Sequence, residues 1–451
     1  MKKSTKYIIL IAILFQNFGI NSLFAQSGMK FEELSKKLEP YFALELIEDI
    51  KSELPENGGY SIWGWDVGDF SGDGYYDLAI SVKFHNDKSK TVKVFQFIDS
   101  EGFLTKVGQY DFKYFELPLE IGVSIKDNIC FITQKRKLFD WEIIGYRFIN
   151  GDLIKLDNFE TYRIDPYTYE KYRNYQTCET REKYLLTKNN NVEFYANYIS
   201  IPSYERGKMM YHGFANYITT SFPDFTVGGA FYYRGNEDAS YSIKSNYDSE
   251  NLYFTINIID DEVVPTRCDS CKGDNIDLWF DLFPLIDSSN RFVKEINSKS
   301  ISFRNEPDTG LYCISISPGD FMNKMPFVSN IKTTDEVKFD QKLSANKIKI
   351  TSSLFDGGYR LKIKIPYEIF DIVIMPDLVD EMTSIGFTLI VNDMDNEFRA
   401  EETSQIATSK FIQNSPISFG ELIFIPSKQW YGESNNIYKS SILKNLENFG
   451  F

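Results

Sequence analysis

Residues 247–281 constrain the fold of this chain more than any other stretch. Two runs, NLYFTINIID and NIDLWFD, alternate apolar and polar residues and flank an acidic loop with a Cys-x-x-Cys at Cys268 and Cys271. Successive side chains of a β-strand point to opposite faces, so strict alternation means one buried face and one wet face. Strands of this kind open an antiparallel β-sandwich, in which a second layer covers the apolar face. The runs YRLKIKIPYEIF, IGFTLIVNDMDNE and SPISFGELIFIP extend it, so the sandwich is expected over 225–426.

The rest of the chain divides around that domain. Residues 1–25 join Lys2, Lys3 and Lys6 to the apolar run YIILIAILF and end on the small residue Ala25, the three parts of a secretory signal peptide. The run is too short for a permanent span, and no Cys follows it to take a lipid. A secreted or periplasmic product with no membrane span in its mature form is expected, an uncleaved anchor being the alternative. Residues 29–54 place Phe31, Leu34, Leu38, Phe42 and Leu46 at helical spacing around Pro40, which predicts one or two short amphipathic helices. Runs such as YDLAISVKF and TVKVFQFI then predict strands, so 26–160 reads as a short helix followed by a small β domain. Residues 161–224 are dense in tyrosine without strict alternation and are expected to connect the domains through short helices or hairpins. Residues 427–451 form a tail. The fold class is mostly β: a C-terminal antiparallel sandwich and a smaller N-terminal β domain preceded by a short helix.

Charge narrows the partners. Acids outnumber bases 64 to 49, for a net charge of −15, whereas binding to phosphates needs clustered Lys and Arg to release counterions. Nucleic acid is therefore excluded as a partner, and divalent cations suit the composition better. The five cysteines are odd in number and leave at least one thiol unpaired within the chain. Cys268 and Cys271 can close a small disulfide loop in an oxidising compartment or supply half a metal site; no second Cys-x-x-Cys or His pair completes a zinc tetrahedron.

Residues 69–77 read DFSGDGYYD, which puts Asp69, Ser71, Asp73 and Asp77 at alternate positions around Gly74. A hard cation takes six to eight oxygens, and these side chains with the Tyr75 carbonyl can wrap around Ca2+ where glycine permits the bend. An EF-hand would need a carboxylate at the position of Ile80, so that reading fails. The segment WDVGDFSGDGYYDLAISV resembles a single FG-GAP-type repeat, in which such a loop precedes a strand. The resemblance implies structural Ca2+ without implying a propeller, since one copy is present. An Asp/Gly hairpin turn without metal is the other reading.

The C-terminal runs resemble carbohydrate-binding module family 9 and its DOMON-related neighbours. Asn251, Leu252 and Tyr253 match its NLY strand, and Asp260 and Asp261 the acidic pair that follows. Gly273, Asp274, Ile276, Asp277 and Asp281 match its next strand, and Gly386, Phe387, Asn392 and Asp393 its IGF…VND run. The resemblance implies a sandwich that holds sugar units and calcium-stabilised loops, with Asp277, Arg304 and Asn392 among its polar contacts. Two tryptophans that clamp the sugar in that family are replaced here by Cys271 and Gln413, and Ile390 and Lys410 stand where amides are expected; Phe411, Trp430 or Tyr431 could rebuild an aromatic platform. Strand alternation places Asp277 and Trp279 on one face, where a carboxylate beside an indole suits a sugar's hydroxyls and C–H faces. Trp279 as a packing residue is the competing reading.

Enzymatic chemistry has little support. The two histidines, His85 and His212, lie in no nucleophile context, and a paired-carboxylate glycan hydrolase is not distinguishable from surface acids in the sequence. Met209, Met210 and His212 are read as packing or exposed groups rather than haem ligands. The expected function is non-catalytic recognition of a glycan or oligosaccharide; the alternative is a structural component of the cell envelope that binds an envelope protein.

Overall fold

The computed structural model describes residues 28–425 apart from 55–58, 86–90, 101, 114–119, 138–139, 150, 165–166, 176–177, 187, 189–190, 206–217, 221–225, 268–271, 283–309, 334–340, 371–382 and 414–417. The expected signal peptide, tail, Arg304, Cys268, Cys271, Met209, Met210 and His212 lie outside the described residues. Strands dominate, as the alternation predicts. The described residues fall into two compact units, one of 28–163 with 168–175 and one of 164–167 with 178–425. No described helix is long and apolar enough to cross a membrane.

In the first unit, helices α1 (Phe31–Leu38) and α2 (Leu44–Ser52) precede β1 (Tyr60–Gly68), β2 (Asp77–Phe84), β3 (Thr91–Ser100) and β4 (Phe103–Lys113). These strands form an antiparallel sheet in sequence order. The helices bury Phe31, Leu34, Leu38, Leu46, Ile47 and Ile50 against Leu78, Ile80, Val82, Phe95 and Phe97 on one face of that sheet. The other face meets a second antiparallel ladder: β5 (Glu120–Lys126), β6 (Ile129–Lys137), β7 (Asp140–Ile149) and β8 (Asp152–Ile164), with β9 (Tyr167–Asn174) beside β8. Ser81 and Asp66 tie the layers together, the Ser81 hydroxyl donating to the Ile121 carbonyl at 3.0 Å and the Ile125 N–H donating to Asp66 at 2.7 Å. β2 is thus covered on both sides.

The second unit adds β10 (Glu179–Leu186), β11 (Asn191–Ile199), β12 (Ile201–Glu205), β13 (Ile218–Thr220), β14 (Thr226–Gly228), β15 (Ala239–Tyr247), β16 (Asn251–Asp260), β17 (Asn275–Asp281) and β18 (Leu311–Ser317). It continues through β19 (Phe327–Thr333), α3 (Gln341–Lys347), β20 (Lys349–Phe355), β21 (Gly358–Pro366), β22 (Thr383–Asp393), β23 (Ser404–Ala407) and β24 (Gly420–Ile425). One continuous sheet runs β19-β18-β17-β22-β24-β12-β15-β16-β21-β20 and folds over one core. Phe254 of β16 stacks on Phe387 of β22, with ring centroids 5.3 Å apart and planes 9° apart, and Phe280 of β17 packs 5.2 Å from Phe387. The Phe254–Phe387 stack joins the two layers, and Phe280 is the cross-strand partner of Phe387 within one of them.

The tyrosine-rich connector is not helical among its described residues. β10 and β11 pair as an antiparallel hairpin, and β12 belongs to the sandwich itself, parallel to both β15 and β24. The sandwich therefore begins before the expected boundary at 225. Strands with parallel neighbours are buried on both faces and lack alternation, which is why periodicity passes over IPSYE.

The Asp69–Asp77 loop closes the β1-β2 hairpin. Gly72 and Gly74 take positive φ of 81° and 93°, the left-handed conformation that the turn demands. Asp77 is fully buried at the start of β2. Its Oδ2 accepts the N–H groups of Phe70 and Ser71, both at 2.7 Å, and its Oδ1 accepts the Asp99 N–H at 3.2 Å. Burial outweighs these bonds and pushes its pKa up to about 6. Asp77→Ala leaves three N–H groups without that acceptor and is expected to lower stability by about 3 kcal/mol, read by urea unfolding. Exposed Asp73, which accepts only the Tyr75 N–H among its described contacts, should cost under about 1 kcal/mol on replacement by Ala. Equal losses would contradict the hub role of Asp77.

Candidate functional site

The outer face of the sandwich changes character along β17. At one end, Trp279 lies against Leu311, Cys313, Ile390, Ala407 and Phe419. Its ring centroid is 5.1 Å from that of Phe411 and 6.0 Å from that of Phe419, leaving it only 6% exposed. The segment after β23 covers it, so the indole shares the Asp277 face as expected but packs in an apolar cluster. At the other end the same face is polar. Strand pairing sets Asn275 opposite Asn392 and Asn392 opposite Gln405, while Asp277 faces Ser315.

These side chains form one hydrogen-bonded row across four strands. Gln405 Nε2 donates to Asn392 Oδ1 at 2.6 Å; Asn392 Nδ2 donates to Asn275 Oδ1 at 2.8 Å and Asp277 Oδ2 at 3.1 Å. The Ser315 hydroxyl completes the row by donating to Asp277 Oδ1. The row floors a groove of about 520 Å³ whose walls include Thr266, Lys272 and Phe327. Gly273 forms part of the rim, where a Cβ would come within 2.6 Å of the Val264 carbonyl oxygen. Only a glycine allows that approach.

Beneath this polar end lies a cluster of carboxylates. Asp260, Asp274 and Asp393 are buried, and each offers an oxygen within 4.8 Å of the others; Asp238, Asp393 and Asp395 form an overlapping group. The Arg234 guanidinium engages the second group, with ion pairs of 2.8 Å to Asp238 and 2.7 Å to Asp395. Among the described residues, no cation pairs with the three acids of the first group. Asp274 Oδ1 accepts the Met394 N–H at 3.0 Å and its Oδ2 accepts the Val264 N–H at 2.6 Å. Asp393 Oδ2 accepts the Ser404 hydroxyl at 3.1 Å, but among the described residues its Oδ1 has no partner, and neither does the fully buried Tyr359 hydroxyl.

Crowding of buried acids shows in their proton affinities. Burial first, then the neighbouring Asp260 and Asp395, raises the Asp393 carboxyl to about 8. Burial raises Asp260 to about 6 and holds Asp274 well above the usual carboxylate range. A divalent cation fits the donor set: three carboxylates between the layers, one unpartnered oxygen among them, and hard oxygen ligands throughout.

The Asp69 loop is built differently. Asp69 accepts the N–H groups of Gly72 and Gly74, and Asp73 accepts that of Tyr75, so these oxygens bind the loop's own backbone. Ser71 donates its hydroxyl to Asp69 at 3.3 Å. Tyr75 is half exposed beside the turn.

Of the sugar-contact residues predicted from sequence, the structure brings Asp277 and Asn392 together in the groove and sets Trp279 under the neighbouring apolar cap. Asn275, Ser315 and Gln405 line the same groove and were not singled out in the sequence. Their positions follow from cross-strand register, which single-strand periodicity does not reveal. Asp274 and Asp393 were matched only by resemblance, although each sits next in sequence to a groove amide.

The chain matches no protein-family profile and no curated protein. Among solved structures it is similar to a carbohydrate binding module family 9 from Caldicellulosiruptor kristjanssonii in complex with glucose, at 15% identity over 53% of this chain and 100% of that chain, with a TM-score of 0.30. The same organism's family 9 module in complex with cellotriose is 16% identical over 53% of this chain and 98% of that one, with a TM-score of 0.28. A suspected carbohydrate-binding protein from Bacteroides uniformis is 10% identical over 50% of this chain and 98% of that one, with a TM-score of 0.32.

Proposed function

We propose that this chain is an exported, non-catalytic glycan-binding protein whose ligand lies in the groove across β18, β17, β22 and β23, and that a calcium ion occupies the Asp260, Asp274 and Asp393 cluster. The observation that carries the first part is the row from Gln405 to Ser315. Sugar hydroxyls both donate and accept, and a row of three amides with a carboxylate and a hydroxyl offers both partners along one open floor. Phe327 supplies an apolar wall for C–H groups. Trp279, packed under Phe411 and Phe419 and outside the groove lining, is assigned to packing rather than to sugar contact.

A glycan array on the mature protein tests the reading. Asp277→Ala or Asn392→Ala is expected to weaken binding of any retained glycan at least about tenfold, because each removes a hydrogen-bonding group worth about 1–2 kcal/mol. Phe411→Ala, on the apolar cap, should lower thermal stability and leave affinity within about threefold. Retention of full affinity in both groove variants would contradict the proposed site.

The ion has its own signature. Calcium is expected to raise the melting temperature of the wild type in a concentration-dependent way, since only the folded state presents the cluster. In chelated protein the sign of the pH dependence is fixed by the raised acids. A carboxyl that binds its proton more tightly when folded favours folding at about pH 4 and loses that contribution as pH rises through its folded value, about 8 for Asp393. Chelated wild type should therefore lose stability from pH 5 to pH 8, and Asp393→Asn, which has no titrating group there, should show a flatter fall and no calcium response. A calcium-insensitive melt, or identical pH profiles, would count against the ion.

A further inference from the structure

The cluster and the groove are built from the same strand ends. Asp274 precedes Asn275 on β17, Asp393 follows Asn392 on β22, and Ser404 precedes Gln405 on β23. Alternation sends the first member of each pair into the sandwich and the second onto the outer face. The two sets are also locked in register, with Asn275, Asn392 and Gln405 in one row and Asp393 opposite Ser404 in the next.

Asp274 ties this arrangement to the groove wall. Its Oδ2 takes the Val264 N–H, two residues before the wall residue Thr266, and its Oδ1 takes the Met394 N–H just beyond the end of β22. Thr266 in turn donates its N–H to the Gly319 carbonyl at 3.0 Å. Asp260 comes from β16 in the opposite layer. An ion shared by Asp260, Asp274 and Asp393 would therefore clamp one layer to the other at the point where the groove floor ends.

We infer that a divalent cation bound by Asp260, Asp274 and Asp393 organises the overlying groove, so that cation and glycan bind cooperatively through the shared ends of β17, β22 and β23. This rests on the proposed glycan-binding role of the groove, but its first consequence does not require a glycan. With no ion, the Asp274 hydrogen bonds to Val264 and Met394 are left to hold the strand ends, against three buried carboxylates whose oxygens lie within 4.8 Å of one another. With the ion bound, both ends are fixed, and the amides of Asn275 and Asn392 are held at one spacing. Linkage then requires that glycan raise cation affinity by the same factor as cation raises glycan affinity.

Amide hydrogen exchange of the full-length mature chain, with calcium or with chelator, reads the coupling directly. Calcium should slow exchange in segments 273–277, 390–394 and 403–406 at least about tenfold, while edge strand β20 is unchanged. Asp393→Asn should abolish the difference; because that variant can be compromised in folding, the wild-type comparison stands by itself as the test. No change in the three segments, or equal slowing throughout the sandwich, would overturn the proposal. Isothermal titration of an array-identified glycan is expected to show at least about tenfold tighter binding with calcium, and equal affinity in both states would also overturn it. Local slowing by calcium with no glycan bound in either state would support the cation's effect on the groove while refuting the glycan reading.

Discussion

The side-chain alternation of β17 and β22 is the constraint on which the rest of the second unit depends. Facing inward, Phe280 and Phe387 pack with Phe254 of the opposite layer and bind the two layers into one core. Facing outward from the same strands, Asp277 and Asn392 form the groove floor. A slip of one residue would move the aromatics into water and the carboxylate into the core, so the apolar packing enforces the register that places the polar row. The site's precision is a consequence of the core's.

Two buried carboxylate arrangements in this chain show how backbone donors and missing donors lead to different chemistry. Asp77 receives three N–H groups and organises a turn whose tight backbone depends on Gly72 and Gly74. It is a structural acid whose hydrogen bonds offset much of the cost of burying charge. The Asp260, Asp274 and Asp393 group places three acids together and, among the described residues, leaves one oxygen and one phenol unpartnered. Burying like charges in that way is costly unless protons or a cation neutralise them. The adjacent Arg234 performs that service for Asp238 and Asp395, which sharpens the contrast with the triad it does not reach.

The alternating runs made the sandwich legible in the sequence, because period two is a direct imprint of a half-buried strand. The helices were legible for the same reason at their own period, with Phe31, Leu34 and Leu38 all buried. β12 was not, because its parallel neighbours bury both faces. For the groove, the sequence placed Asp277 and Asn392 but not Gln405 or Ser315, since which residues stand opposite one another depends on register between distant segments. It placed Trp279 on the correct face; the cap formed by Phe411 and Phe419, which decides that the indole is packing, is a tertiary fact. The Asp69 loop drew attention by its spacing, yet spacing alone does not say whether carboxylates face an ion or their own backbone N–H groups.

Anomalous diffraction from crystals of the protein grown in calcium tests the central claim most directly. The account predicts a calcium peak coordinated by Asp260, Asp274 and Asp393, directly beneath the row formed by Asn275, Asn392 and Gln405. A map with no peak at that position under saturating calcium would contradict it.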